Sequence, residues 1–410
     1  MQDDLKFVAV GHVDHGKSTM IGRLLYDTNS LPPDKMEEVR QMSEEADGVP
    51  EFAFVMDHLE EERVNRVTID TAQIFFKTAK RDYVIIDAPG HKQFLKNMIT
   101  GSTQAEAALL LVDAVEGLRE QTHRHAYMLS LLGIKQLMVV INKMDLVDYD
   151  QSRFDEVRTD ITDRLAEFDL HPLMVIPISA RLGENITSPS DKMTWHHGKT
   201  LLAGLDELEP TPSLEKGPLR LPVQDIYEQN GRKIIVGRIA SGTLKSNQEI
   251  IFQPLGRTAT VETIEVFGDS KDHAGAGESI GITIRDAADI RGIRRGQTIC
   301  AISPSPQLSN TIVATVFWMS GEPLRKGEQI ELKCATQQMM CKVKKIAGRM
   351  NSSTLEVIES DAEQLCETEV AMLTLKAGDC LCMDSFESIP EMGRFVLMRD
   401  TDTVAGGVVH

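Results

Sequence analysis

The first half of the chain alternates short apolar runs with longer stretches of helical periodicity. Residues 120–133 and 151–168 carry apolar side chains at helical spacing. The runs typical of strands lie at 6–10, 70–79, 82–87, 107–113, 136–141 and 174–178. Such an alternation predicts a mostly parallel sheet with helices on both faces. Ligands of such a sheet bind at the carboxyl ends of its strands.

The pattern changes in the second half. Residues 208–222 are rich in proline and charge, which indicates a linker. Beyond it, short β-branched runs are separated by turn residues, a pattern typical of all-β barrels. A second proline-rich break, SPSPQ, follows at 303–307. We therefore predict an α/β domain over residues 1–210, a β-barrel domain over 211–305 and a second β-barrel domain over 306–410.

Composition and charge narrow the class of partner. The chain is 41% apolar and 26% charged, with a net charge of −18. A negative field of this size repels polyanions, so it weighs against broad nucleic-acid binding, although a local basic patch could still exist. No apolar run is long enough for a membrane span, and the N-terminus lacks a signal-peptide pattern. The six cysteines have no zinc-site spacing. We expect a cytoplasmic protein with reduced thiols and no membrane partner.

A phosphate-loop motif follows the first predicted strand. GHVDHGKST at residues 11–19 fits the pattern G-x-x-x-x-G-K-[ST]. Its two glycines tolerate a tight turn, in which successive backbone N–H groups can surround a phosphate. Lys17 would neutralise the outer phosphates, and the Ser18 hydroxyl would bind Mg²⁺. The predicted nucleotide-binding residues of this loop are Val13, Asp14, His15, Gly16, Lys17, Ser18 and Thr19.

A second motif selects the base. NKMD at 142–145 directly follows a predicted strand. The Asp145 carboxylate can accept hydrogen bonds from N1–H and the exocyclic amine of guanine, whereas adenine offers no such donor pair. Asn142 can support the loop and contact the base edge, and the stem of Lys143 can cover the base face. The motif favours guanine over adenine.

A third motif supports the same choice. SAR at 179–181 follows the strand predicted at 174–178. The small side chain of Ala180 lets a backbone N–H reach the guanine carbonyl, and Ser179 and Arg181 flank it. Together the three motifs predict GTP and GDP as ligands.

Residues for hydrolysis follow the strand predicted at 82–87. In DAPGH, Asp87 would reach Mg²⁺, usually through water, and the Gly90 N–H would bind the terminal phosphate, a bond that hydrolysis removes. His91 could orient the attacking water; the alternative is an ordinary surface histidine. Thr68 in VTID would join the Mg²⁺ shell only when the third phosphate is present. The predicted catalytic residue is His91, and the predicted metal ligands are Ser18, Thr68 and Asp87.

Taken together, GHVDHGKST, DAPGH and NKMD resemble the translation-factor class of GTPases, typified by elongation factors Tu and one-alpha. That resemblance implies an α/β P-loop GTPase domain followed by two all-β barrel domains. In this class the histidine after D-x-x-G positions water, which implies that role for His91. Val13 and Val67 match a hydrophobic gate in front of that histidine, and Asp14 matches a residue beside the phosphates.

Three longer stretches, at 18–32, 124–157 and 232–256, are similar to the GTPase subunit of bacterial ATP sulfurylase, sulfate adenylyltransferase subunit 1. In that family a partner catalytic subunit makes adenosine phosphosulfate and pyrophosphate from ATP and sulfate, and GTP hydrolysis drives this unfavourable step. The resemblance therefore implies a catalytic sulfurylase subunit as partner. No second phosphate-loop pattern occurs, so we expect no fused adenylylsulfate kinase.

Two other functions stay open at the level of sequence. The nucleotide motifs are shared with elongation factors, so aminoacyl-tRNA and the ribosome are the partners in the first alternative, with nucleic acid disfavoured by the negative charge. The second alternative is recruitment to a related sulfation or adenylylation pathway.

One departure from the translation-factor class falls in the predicted switch segment. In VNRVTID, Asn65 and Arg66 stand where the class usually has Arg-Gly. Arg66 replaces a flexible hinge. It could act as an arginine finger within the same chain, although a solvated loop arginine is the favoured interpretation.

Overall fold

The computed structural model describes residues 4–12, 14–45, 52, 72–87, 105–210, 214–229, 232–266, 269–285 and 292–410. The chain divides into two compact units. One is Met1–Thr211 with Ser352–Thr354, and the other is Pro212–Asn351 with Leu355–His410.

A six-stranded sheet forms the centre of the first unit. Its strands are β1 Leu5–Gly11, β2 Ala72–Lys77, β3 Asp82–Asp87, β4 Ala107–Asp113, β5 Gln136–Asn142 and β6 Met174–Pro177. They are ordered β2-β3-β1-β4-β5-β6. Every neighbouring pair is parallel except β2 with β3. The prediction of a mostly parallel sheet is confirmed.

Helices fill the connections between these strands. In the described ranges these helices are α1 Lys17–Asp27, α2 Pro33–Glu45, α3 Glu120–Leu131 and α4 Gln151–Ala166, and a further helix, α5 Leu201–Leu205, follows β6. The start of α4 is fixed by Asp150, whose side chain accepts a hydrogen bond from the Ser152 N–H at 2.9 Å. All seven residues of β4 are buried because the strand lies inside the sheet, between β1 and β5. Its carboxyl end therefore opens on the middle of the sheet edge where ligands bind.

The second unit begins with a closed barrel. The strands of this region are β7 Arg220–Gln229, β8 Arg232–Arg238, β9 Thr243–Lys245, β10 Glu249–Gln253, β11 Arg257–Val266, β12 Asp269–Lys271, β13 His273–Gly275, β14 Ser279–Ile284 and β15 Thr298–Ala301. Of these, β9 and β13 form a separate two-stranded sheet. The order β10-β15-β7-β8-β14-β11 closes because β10 also pairs with β11. Closure removes the open edges that a flat sheet would expose.

The predicted linker at 208–222 is longer than the structure allows. A short 3₁₀ turn occupies Leu214–Lys216, and β7 already begins at Arg220. The reason is burial: the Leu219 and Leu221 side chains belong to the core of this barrel. Burial of each leucine stabilises the fold by roughly 2 kcal/mol. The end of this stretch therefore belongs to the barrel, although its proline-rich composition is typical of a linker.

A second closed barrel follows. The strands of this region are β16 Gln307–Trp318, β17 Leu324–Arg325, β18 Gln329–Cys334, β19 Gln337–Asn351, β20 Val357–Ala362, β21 Gln364–Leu365, β22 Glu369–Met383, β23 Arg394–Arg399 and β24 Asp402–Val409. Of these, β17 and β21 form a separate two-stranded sheet. One helical turn, α6 Pro390–Gly393, precedes β23. The order β18-β23-β24-β16-β22-β19 closes through pairing of β18 with β19. The prediction of two β-barrels is confirmed.

A buried ion pair joins the two barrels. The Arg220 guanidinium binds both carboxylate oxygens of Asp384, at 2.8 Å and 3.1 Å. It also donates to the carbonyl oxygens of Leu219 and Pro304. The side chain of Arg220 is only 2% exposed, so its charge depends on these acceptors.

An apolar cluster accompanies this pair. Cys300 is the cross-strand neighbour of Arg220, and Cys382, near the end of β22, lies two residues before Asp384. The buried members of the cluster are Ala240, Cys300, Cys382, Ile389 and Met392. Contributions from both barrels exclude water around the pair, which strengthens its hydrogen bonds.

We expect Asp384→Ala to destabilise the barrel unit by about 3–5 kcal/mol, because it leaves the Arg220 guanidinium buried without a counter-charge. The chain has two tryptophans. In a Trp195→Phe background, Trp318 alone reports on the barrels, and its fluorescence can be followed during urea unfolding. Asp379→Ala, at an exposed position of β22, the strand that ends just before Asp384, is the matched control. Equal unfolding midpoints for the two variants would show that the ion pair contributes nothing.

Candidate nucleotide-binding site

The phosphate-loop motif connects β1 to α1. Gly16 is the residue before the helix and has a left-handed backbone with φ 88°. A Cβ at this position would clash with the Asn142 side-chain amide, so only glycine fits both the conformation and the space. The helix starts at Lys17 and Ser18, and the Gly16 carbonyl accepts its first bond from Met20 at 2.9 Å. The first N–H groups and the positive end of α1 are therefore placed at the loop, where an anion binds best.

Asn142, at the end of β5, ties two loops together. Its side-chain Nδ2 donates to the His15 carbonyl at 2.9 Å, and its Oδ1 accepts from the Ala180 N–H at 3.0 Å. The residue is 2% exposed. The phosphate loop and the SAR segment, which are about 160 residues apart in sequence, are thus held by one buried amide.

The NKMD segment turns sharply after β5. Lys143 has a left-handed backbone with φ 64°, and a 3₁₀ turn, Met144–Val147, follows. One carboxylate oxygen of Asp145 accepts from the buried Ser179 hydroxyl at 2.6 Å. The same hydroxyl oxygen accepts from the Leu182 N–H at 3.3 Å. Ser179 thus orients the carboxylate that we predict to bind guanine, while Arg181 is exposed.

Sequence analysis did not identify Asp113, at the end of β4. Its carboxylate lies 2.7 Å from the Lys143 ammonium and accepts from the N–H groups of Val115 and Glu116, at 2.7 Å and 3.2 Å. Burial alone would raise the pKa of Asp113, but the bonds from Lys143 and the two N–H groups outweigh it, and the pKa lies below its ordinary value. A usable signal was present, since the apolar run at 107–113 ends in an acid.

Two further contacts connect the turn after β4 and the start of α3 to the phosphate loop. His12 Nδ1 is hydrogen-bonded to the Gln121 side chain, and His15 Nε2 lies 3.5 Å from the Glu116 carboxylate. Burial lowers the pKa of His15, so its ring is neutral at pH 7. His15 Nδ1 lies 3.2 Å from the Leu111 carbonyl, which fits the tautomer with the proton on that nitrogen.

Several predicted site residues lie outside the described part of the chain. These are Val13, Thr68, Gly90 and His91, together with the side chain of Asp87. The backbone of Asp87 ends β3, and its register partner on β1 is Ala9. That strand end is thus adjacent to the one that leads into the phosphate loop, and the roles of these residues stay predictions.

The donors present fit Mg²⁺ only together with phosphate oxygens. Among the described residues, no group of three or more His, Cys, Asp or Glu side chains could hold a metal ion. Ser18, the second residue of α1, offers one hydroxyl. Mg²⁺ is commonly held by one or two protein ligands plus substrate phosphates and water, so this donor set suits a nucleotide-bound ion.

A phosphate loop at the carboxyl end of β1 in a mostly parallel sheet, followed by two closed barrels, defines a P-loop GTPase architecture with appended barrels. Residues 3–211 match the elongation factor Tu GTP binding domain, residues 232–300 match elongation factor Tu domain 2, and residues 311–410 match the GTP-eEF1A C-terminal domain-like family. The chain therefore belongs to the translation-factor family of GTPases. A GTPase domain of this family implies guanine-nucleotide binding.

Relatives with two different names are equally similar to the chain. Elongation factor 1-alpha of Methanospirillum hungatei is 36% identical over 98% of this chain and 96% of its own length. Sulfate adenylyltransferase subunit 1 of Aeromonas salmonicida is 34% identical over 99% of this chain and 86% of its own. Elongation factor 1-alpha of Pyrococcus furiosus is 36% identical over 99% and 97%. The family is thereby established, whereas the narrower resemblance to subunit 1 is matched by that to elongation factors.

Within the ranges given above, none of the helices has the length and apolar character needed to cross a bilayer.

Asp145→Asn should exchange the base preference of the site. The amide donates where the carboxylate accepted, so we expect GTP affinity to fall by about 100-fold or more and xanthosine triphosphate affinity to rise. Calorimetric titration with both nucleotides measures the change. Asp148→Asn, at an exposed left-handed position of the same loop, is the control. An unchanged preference for GTP in the Asp145 variant would refute the assignment of this carboxylate to guanine.

Proposed function

We propose that this GTPase drives sulfate activation by a partner catalytic subunit, which makes adenosine 5′-phosphosulfate from ATP and sulfate. The main support is the similarity to subunit 1 in the three stretches at 18–32, 124–157 and 232–256. The middle stretch contains most of α3, all of β5, the NKMD motif and the first half of α4. A relative named sulfate adenylyltransferase subunit 1, similar over 99% of this chain, gives further support.

In this proposal the first unit holds GTP at three places. Asp145, oriented by Ser179, binds the guanine edge, and the stem of Lys143 covers the base. Lys17 and the N-terminus of α1 bind the outer phosphates, and Asn142 keeps the two regions at a fixed spacing. Ser18, Thr68 and Asp87 would hold Mg²⁺, which when bound neutralises charge on the phosphate oxygens.

Hydrolysis then changes what the switch residues can bind. The N–H of Gly90 and the hydroxyl of Thr68 lose their contacts when the third phosphate leaves, and His91 orients the water that attacks it. The energy reaches the catalytic subunit only if that subunit binds the two states with different affinity. We expect slow hydrolysis by the isolated chain and acceleration by the partner, as in other GTPases that receive part of their catalytic machinery from a partner.

A second candidate function is the delivery of aminoacyl-tRNA to the ribosome. Elongation factors 1-alpha at 36% identity over nearly the whole chain favour it. The net charge of −18 opposes it, because tRNA is a polyanion. Recruitment to a related sulfation or adenylylation pathway is the third candidate.

GTP should increase adenosine phosphosulfate formation when the protein is mixed with a sulfurylase catalytic subunit, ATP and sulfate. A non-hydrolysable GTP analogue should not, because coupling needs the hydrolysis step. With Asp145→Asn, xanthosine triphosphate should replace GTP as the driver, which would assign the coupling to the site of this chain. Product is quantified by chromatography. The absence of any GTP-dependent gain would exclude sulfate activation, and protection of aminoacyl-tRNA esters from hydrolysis would support the elongation-factor function.

His91→Ala should slow single-turnover GTP hydrolysis by roughly 10²-fold or more while leaving GTP affinity within a few-fold, because a water-positioning group acts mainly in the transition state. His171→Ala is the control, since that side chain is 75% exposed. Loss of GTP affinity equal to the loss of rate would instead indicate a binding role for His91.

A further inference from the structure

We propose that Asp113 is a positioning residue for the nucleotide, which holds the Lys143 ammonium so that the lysine stem is fixed over the base and the nucleotide dissociates slowly. The inference rests on the guanine-binding part of the proposed function and not on sulfate activation.

The contact itself is close and shielded. The Asp113 carboxylate and the Lys143 ammonium are 2.7 Å apart, and their side chains are 3% and 30% exposed. A free lysine side chain loses substantial rotamer entropy when a ligand immobilises it. A lysine already restrained by a buried carboxylate loses less rotamer entropy when the nucleotide binds. Less of the favourable free energy of its contact with the base is therefore offset by ordering of the side chain.

Asp113 is itself held rigidly enough to restrain its partner. One carboxylate oxygen accepts from the N–H groups of Val115 and Glu116, and the other faces Lys143. On the sheet, Asp113 is the register partner of Asn142, and the Asn142 carbonyl accepts from the Ala114 N–H at 2.8 Å. The carboxylate is thus fixed to the strand end from which the base loop departs.

The same turn also contacts the phosphate loop. Glu116 lies against His15, and Gln121 is hydrogen-bonded to His12. The segment from Asp113 to Gln121 therefore touches the two loops that bind opposite ends of the nucleotide. Within this segment, Asp113 contacts Lys143 of the NKMD loop, which we propose to bind the base.

A purely structural role predicts a different outcome, and one substitution separates the two. Asp113→Asn keeps the side-chain shape and the oxygen that accepts from Val115 and Glu116. It replaces the oxygen facing Lys143 by an amide, which removes the ion pair. Turn formation is thereby preserved while the restraint on Lys143 is lost.

The test is the dissociation of a fluorescent GDP analogue from the full chain, measured by stopped flow with excess GDP. We expect Asp113→Asn to speed dissociation roughly tenfold, a value reduced for the partial exposure of Lys143. Association and the single-turnover hydrolysis rate at saturating GTP should change less than twofold, because the contact acts on binding and not on the phosphates. Asp148→Asn is the control and should match the wild type.

A double-mutant cycle makes the result specific. Lys143→Met keeps an apolar stem but removes the ammonium, so in that background Asp113→Asn should have no additional effect. An equal acceleration in both backgrounds would overturn the proposal and assign Asp113 to turn stability. The proposal would also be overturned if the GDP analogue dissociated from Asp113→Asn at the wild-type rate. No partner, ATP or sulfate is present, so the outcome is independent of the sulfate-activation test.

Discussion

Two hydrogen bonds made by one buried amide define the spacing of the nucleotide site. The Asn142 side chain fixes the His15 carbonyl of the phosphate loop and the Ala180 N–H of the SAR segment. Because the amide is buried, losing either partner would leave an unsatisfied polar atom, which costs about 1–3 kcal/mol. Gly16 completes the constraint, since any larger residue would displace that amide. The spacing between the phosphate loop and the SAR segment is therefore set by a residue at the end of a sheet strand rather than by the loops alone.

The local pattern of apolar residues was sufficient to predict the strands. The side-chain contacts between strands could not be predicted without the register of strand pairing. Residues 82–87 and 107–113 form the strands predicted there, because a run buried on both faces is apolar throughout. The predicted linker is longer than the one in the structure, because composition does not reveal that Leu219 and Leu221 are buried in a barrel core. Asp113 was missed for another reason: its partner, Lys143, is 30 residues away and meets it only through the pairing of β4 with β5.

The family assignment and the choice of partner rest on different parts of the molecule. Guanine recognition needs only a few strand-end residues, and the chain is similar at nearly equal identity to an elongation factor 1-alpha and to a sulfate adenylyltransferase subunit 1. Such motifs establish nucleotide chemistry and leave the partner undetermined. A protein partner is recognised by an extended surface, which has no fixed local spacing and so produces no short motif.

The ion pair between Arg220 and Asp384 has a mechanical consequence. A two-point guanidinium–carboxylate contact tolerates little change in angle, and here it is enclosed by side chains from both barrels. Swivelling at this junction would break both bonds at once and admit water to a buried charge. The two barrels are thus expected to move as one rigid body. A displacement of one barrel would therefore also displace the other.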